Sequence, residues 1–169
     1  MITRLTSSLS SFKTLEFSPG LNVLLADKSE GATDLQTRNG AGKTSFVETI
    51  HFLTGGKAGT DSMFRSDALV NESFEVQIDV GGDEISAERS GSAPSKIFLN
   101  GPVENWPIPP KFKEDRGVFE ISYTNWCHTL GAKWFGLEAP PDSDTKFQPT
   151  FRSLFAYFAR RQASDAFQT

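Results

Sequence analysis

The chain has 169 residues, 37% hydrophobic and 22% charged, which fits one globular domain with a real core and leaves little room for two. Its net charge of −4 excludes a global basic field that would attract nucleic acid, leaving only a local patch or contact through a larger assembly. No apolar stretch approaches the about 20 residues that a membrane span needs, the N-terminus lacks signal-peptide regions, and a single cysteine, Cys127, cannot form an internal disulfide, so a cytoplasmic setting is expected.

Residues 2–7 and 12–17 are expected to be short strands, with apolar residues at alternate positions in Phe12-Lys13-Thr14-Leu15-Glu16-Phe17. Pro19-Gly20 signals a turn, and the mostly apolar run Leu21–Ala26 fits a strand buried on both faces of an α/β sheet. Residues 27–37 are polar and read as a loop. After Gly42, the residues Phe46, Val47, Ile50 and Leu53 form one apolar stripe at helical spacing, and Gly55-Gly56 closes that helix. An irregular segment follows over residues 57–68. Phe74–Val80 alternates throughout, Gly81-Gly82 supplies a hairpin turn, and Ile85–Arg89 is the return strand. Lys96–Leu99 makes a third strand, closed by Asn100-Gly101, so an antiparallel β-arm is expected across 73–106. Pro107–Pro110 breaks the chain. Helices are then expected at about 122–135 and 150–161, joined by a loop at Pro140-Pro141. The second carries Phe151, Leu154, Phe155 and Phe158 at helical spacing, with Arg160-Arg161 near its end, where positive charge suits the helix dipole.

The segment Arg38-Asn39-Gly40-Ala41-Gly42-Lys43-Thr44 lies between the apolar run and the first amphipathic helix. That is the setting of a phosphate-binding P-loop, because a helix N-terminus offers unpaired N–H groups and the positive end of a dipole. Gly40 and Gly42 let the backbone approach phosphate without a Cβ in the way. Lys43 would reach the β- and γ-phosphates, the Thr44 hydroxyl would ligate Mg²⁺, and Ser45 would lie close to the α-phosphate. The full pattern wants glycine where Thr37 stands, so the loop must enter by a different path. The expected nucleotide-binding residues are therefore Arg38, Asn39, Gly40, Ala41, Gly42, Lys43, Thr44 and Ser45, with ATP and Mg²⁺ as ligands. The bland alternative is a glycine-rich turn before a helix.

Taken with Phe12–Phe17 and Gly20-Leu21-Asn22-Val23-Leu24, this motif resembles the N-terminus of the SMC, RecN and RecF class of ABC-type ATPases. Arg65, the hairpin ending in Glu88-Arg89, and Phe98-Leu99-Asn100-Gly101 resemble the β-arm of that class. Trp134–Leu137, Phe151–Leu154, Tyr157-Phe158 and Arg160-Arg161 are similar to segments of bacterial SMC-like proteins with an insertion before the P-loop. The resemblance implies an α/β P-loop NTPase head lobe, with a mixed sheet around the P-loop helix and the antiparallel arm beside it. It divides the chain into 1–56 (strands, P-loop and first helix), 57–106 (arm) and 107–169 (helical part). It also implies a coiled coil and a C-terminal lobe carrying the signature sequence, the Walker B Asp and the catalytic Glu. Val76-Gln77-Ile78-Asp79 is the nearest match to Walker B, but Gln77 interrupts its apolar run and Val80 stands where Glu should, so it reads as an amphipathic strand. Gln162 and Gln168 lie near the point where such ATPases place a glutamine that touches Mg²⁺. The chain alone is thus expected to bind ATP but not to hydrolyse it. As partners the resemblance implies the C-terminal lobe, an ATP-dependent homodimer and, through the full assembly, DNA. The role it implies is DNA maintenance or defence against foreign DNA.

The remaining candidates have simpler readings. Arg65 and Arg89 support the nucleotide or the arm, with a simple strand-edge charge the favoured reading of Arg89. His51 is expected to pack or cap on the first helix. His128 beside Cys127 lacks a third orienting group for nucleophilic catalysis, and two His with one Cys make a poor metal set. Trp106, Trp126 and Trp134 read as core before base-stacking residues. Lys111, Lys113 and Arg116 read as a solvated basic loop. Two other functions compete: a stand-alone P-loop kinase or GTPase, and a non-catalytic protein-interaction module with a degenerate loop. The first lacks an Asn-Lys-x-Asp motif, and its parallel βαβ repeat should continue where the β-arm stands. Thr37 favours the second.

Overall fold

The structure is a computed structural model and describes residues 1–24, 43–138 and 149–159. Seven strands form one sheet in the order β2-β1-β3-β4-β5-β7-β6. They are β1 (Ile2–Ser7), β2 (Leu15–Glu16), β3 (Ser73–Val80), β4 (Asp83–Ser90), β5 (Lys96–Asn100), β6 (Lys111–Lys113) and β7 (Val118–Ser122). Three helices accompany them: α1 (Lys43–Leu53), α2 (Tyr123–Phe135) and α3 (Phe151–Phe158).

The centre of the sheet is the β3–β4 hairpin, paired from Val80↔Asp83 out to Ser73↔Ser90. Gly81 and Gly82 both have positive φ, 68° and 94°, as a two-residue turn of this hand requires. The Asp79 carboxylate also accepts from the Gly82 amide at 3.1 Å. Alternation then divides the faces. Phe74, Val76, Ile78 and Val80 of β3 are buried, as are Ile85, Ala87 and Arg89 of β4 and Ile97 and Leu99 of β5. The helices lie against these residues: Phe52 of α1 meets Phe74 edge-on, and Trp126 of α2 is fully buried. Trp126 stacks on buried Trp106 at 5.8 Å, so these two tryptophans are core.

Several expectations need correction. The α/β architecture stands, but every strand pairing among the described residues is antiparallel, so the parallel component of the expected mixed sheet is not among them. The run Leu21–Ala26 was expected to supply a buried strand. Its described part has no regular structure, and Leu21 is 93% exposed and Val23 69%. The local cause is Asn22, whose amide accepts from Ser18 N at 3.0 Å and donates to Ser18 O and Gly20 O. That closure satisfies the turn with a side chain instead of a ladder.

The β-arm is continuous with the rest, since β3 also pairs with β1 and β5 with β7. Lys111, Lys113 and Arg116, expected in a solvated loop, belong to the β6–β7 edge hairpin. Lys113 lies 3.7 Å from Glu120, Arg116 lies 3.8 Å from Glu88, and the Arg116 guanidinium covers the Phe98 ring at 3.9 Å.

The expected helices form. Ser122 caps α2 by accepting from Asn125 N, and Gly136 ends it at φ 64°. Thr150 and Ser153 make a reciprocal capping box on α3. Its expected last residues, 160–161, lie outside the described residues.

The short 3₁₀ turn Met63–Arg65 buries Phe64, which stacks on Phe52 at 4.1 Å and lies against β4's far end at Gly91. A Cβ on Gly91 would stand 1.6 Å from the Phe64 carbonyl oxygen. Gly91→Ala therefore forces backbone apart at a core contact and should cost more than about 2 kcal/mol in urea unfolding. Gly82→Ala, which meets no atom within 4 Å, should cost less despite its strained φ.

Candidate functional site

Lys43, which follows the glycine-rich segment in sequence, is the first described residue of α1. Thr44 and Ser45 are exposed in its first turn, which contains no acidic residue. The amides of that turn have no intrahelical acceptor and point out of the positive end of the helix dipole. An exposed hydroxyl at Thr44 is a hard oxygen donor of the kind Mg²⁺ takes. Arg38, Asn39, Gly40, Ala41, Gly42, Gln162 and Gln168 lie outside the described residues. Arg65 ends the 3₁₀ turn and is exposed.

The other end of α1 is held by several side chains. Helix C-termini leave carbonyls without intrahelical donors, and here side chains from two other elements, β4 and α2, reach the carbonyls of residues 52–56, while α3 binds α1 side chains. Arg89 is 1% exposed. Its Nη1 donates to the carbonyls of Phe52 and of Gly56 (2.8 Å), and its Nε donates to Pro94 O at 2.8 Å. The guanidinium also sits 4.3 Å from the centre of the Phe52 ring. This corrects the strand-edge reading: Arg89 is a buried cation set against the negative end of the helix. Burial lowers its pKa to about 10, so it remains charged at neutral pH. From α2, Trp126 Nε1 donates to Leu53 O at 2.9 Å, and the Cys127 thiol donates to Gly55 O at 3.3 Å.

The third element is α3, joined through His51. The imidazole is 3% exposed, with Nε2 at 2.7 Å from Ala159 O and Nδ1 at 2.8 Å from Arg152 Nη2. A carbonyl can only accept and a guanidinium can only donate, which assigns the proton to Nε2. Phe155 packs edge-on against the ring at 5.6 Å, and Arg152 also reaches the Thr54 hydroxyl at 3.4 Å. The expectation that His51 packs or caps thus holds, and its partner is α3.

Sequence reasoning missed Arg152 and misplaced Arg89, although Arg89 shares the phase of Ile85 and Ala87 on an alternating strand, a signal of inward direction. His128 and Cys127 line a cavity of about 260 Å³ with Gly131, Leu137 and Phe151. Burial raises the Cys127 thiol above its ordinary pKa, with Arg152 and Arg89 pulling it partly back.

Two outcomes follow. Trp126→Phe keeps the ring packing but leaves Leu53 O without its donor, and should lower unfolding free energy by about 1–3 kcal/mol in denaturant titration. The Cys127 thiol, held neutral by burial, should react with a disulfide reagent at pH 8 at least about tenfold more slowly in the native protein than in urea.

A family model described as an AAA domain matches residues 7–125, from the end of β1 into the first turn of α2. No curated protein and no solved structure matches the chain.

Proposed function

The chain belongs to the AAA domain family, a nucleotide-binding P-loop ATPase-type module, and from that premise we propose that it is the ATP-binding N-terminal lobe of an SMC-like ABC ATPase head. The observation that carries the proposal is the position of α1, whose exposed first turn at Thr44-Ser45 directly follows Gly40-Ala41-Gly42-Lys43. In this reading Arg38 to Ser45 cradle the triphosphate. Lys43 places its charge at the β- and γ-phosphates, the amides of the first turn donate to phosphate oxygens, and the Thr44 hydroxyl holds Mg²⁺, with Gln162 as a second contact. Bound Mg²⁺ would supply charge neutralisation across the β- and γ-phosphates.

Hydrolysis needs more than this. No acidic side chain stands in the first turn of α1 to orient an attacking water, and the alternating burial of β3 supports reading Val76–Asp79 as a packing strand rather than Walker B. The account therefore assigns the catalytic acid to a C-terminal lobe. Exposed Leu21, Val23 and Leu24, and an apolar groove of about 370 Å³ formed by Phe46, Val47 and Ile50 of α1 with Phe155 and Phe158 of α3, support a surface built to receive that lobe. An ATP-dependent homodimer acting in DNA maintenance or defence against foreign DNA completes the proposal, and it rests on the resemblance of motifs alone.

Calorimetric titration with Mg-ATP tests the reading. Saturable binding is expected, with loss in Lys43→Ala at unchanged thermal stability and negligible phosphate release by the chain alone. Binding unaffected by Lys43→Ala, or no binding by the wild type, would contradict it.

A further inference from the structure

We infer that Arg89 is a positioning residue for the proposed phosphate-binding turn, acting through α1 from the opposite end of the helix. The inference rests on the nucleotide-binding reading for its ligand, but its geometry is independent of any ligand. α1 has 11 residues and spans roughly 16 Å. Its two halves are held very differently. In the first turn Thr44 and Ser45 are exposed, and the next side chain, Phe46, meets Phe17 at 6.0 Å between ring centres. At the far end Phe52 stacks on Phe64 at 4.1 Å, Trp126 holds Leu53 O, and Arg89 holds Phe52 O and Gly56 O together. The contacts at this end set the direction in which the first turn of a rigid helix points.

Arg89 supplies the directional part of the grip. Nη1 addresses the end of α1 and the residue that follows its closing turn, while Nε and Nη2 address Pro94 O in the β4–β5 connection. The planar guanidinium therefore fixes both the distance and the angle between the helix end and the sheet. A lysine ammonium, one nitrogen on a flexible stem, can hold one of these sites but not both. No carboxylate among the described residues pairs with Arg89; its charge is met instead by the carbonyls at the end of α1 and the negative end of that helix's dipole. A buried cation held in this way is weak evidence of a stabilising role.

Two readouts on the 169-residue chain, for wild type, Arg89→Met, Arg89→Lys and Val103→Ala, test the inference. Val103 is fully buried in the β5–β6 connection, beyond the Ser86↔Asn100 end of the β4–β5 pairing and so away from Arg89, and controls for general loss of stability. In nucleotide-free protein, amide hydrogen exchange over residues 47–49, the first with acceptors inside α1, should rise about tenfold or more in Arg89→Met and less in Arg89→Lys, with β6–β7 unchanged. Val103→Ala should leave residues 47–49 as in wild type. Mg-ATP affinity should fall in the same order. Should Arg89→Met fail to fold, Arg89→Lys carries the test. Exchange over 47–49 that is unchanged in the folded Arg89 variants, or raised equally by Val103→Ala, overturns the inference. Faster exchange with no Mg-ATP binding even by wild type would uphold the positioning role and sink the nucleotide reading instead.

Discussion

A helix that offers its N-terminus to solvent must be held by its other end, and burying that end exposes it to the cost of carbonyls without donors. This protein meets the constraint by bringing a cation and an indole to the last turn of α1. Arg89 comes from the central hairpin and donates to Phe52 O and Gly56 O, and Trp126 comes from α2 and donates to Leu53 O. The negative end of the helix compensates the buried charge, so the guanidinium stays protonated with its pKa lowered only to about 10. The alternation of β4 is what puts Arg89 there: the register Phe74↔Arg89 turns it to the face covered by the helices. A slip by one residue would turn it to the other side.

The second consequence concerns α3. It is a short helix, and its attachment to α1 runs through polar bonds, His51 to Ala159 O and Arg152 to His51 Nδ1, supported by Phe155. Its attachment to α2 is aromatic, through Trp134 and Phe135 against Phe151. The neutral imidazole is defined by those two partners, so α1 and α3 meet in a fixed register. Any ligand that displaces α1 would therefore load α3 through His51, and α3 carries exposed Tyr157 and Phe158.

Much of this was legible in the sequence wherever one period dominated. The β3–β4 hairpin was marked by strict alternation around Gly-Gly, α1 by its apolar stripe, and α3 by its aromatic spacing. The signal failed where local polar chemistry overrode pattern. Leu21–Ala26 looked like a buried strand, yet Asn22 spends its amide on closing the Pro19-Gly20 turn. The β6–β7 hairpin was hidden because its edge strand β6 is only the three residues Lys111-Phe112-Lys113, and edge strands carry charge as protection against pairing with other chains. A helix beginning after Gly42 was foreseen, while the residues that seat it were not. Arg89, His51 and Arg152 act across 33 to 108 positions of sequence, and no local pattern reports a contact of that range.

The central claim is that α1 presents its first turn to a triphosphate while its last turn stays locked. Amide chemical-shift mapping during addition of Mg-ATP tests it most directly. The account predicts the largest changes at Thr44, Ser45 and Phe46, with Gly55 and Gly56 in the Arg89 socket nearly unmoved. Changes centred instead on the cavity beside Lys57 and Tyr123, or none at the start of α1, would contradict it.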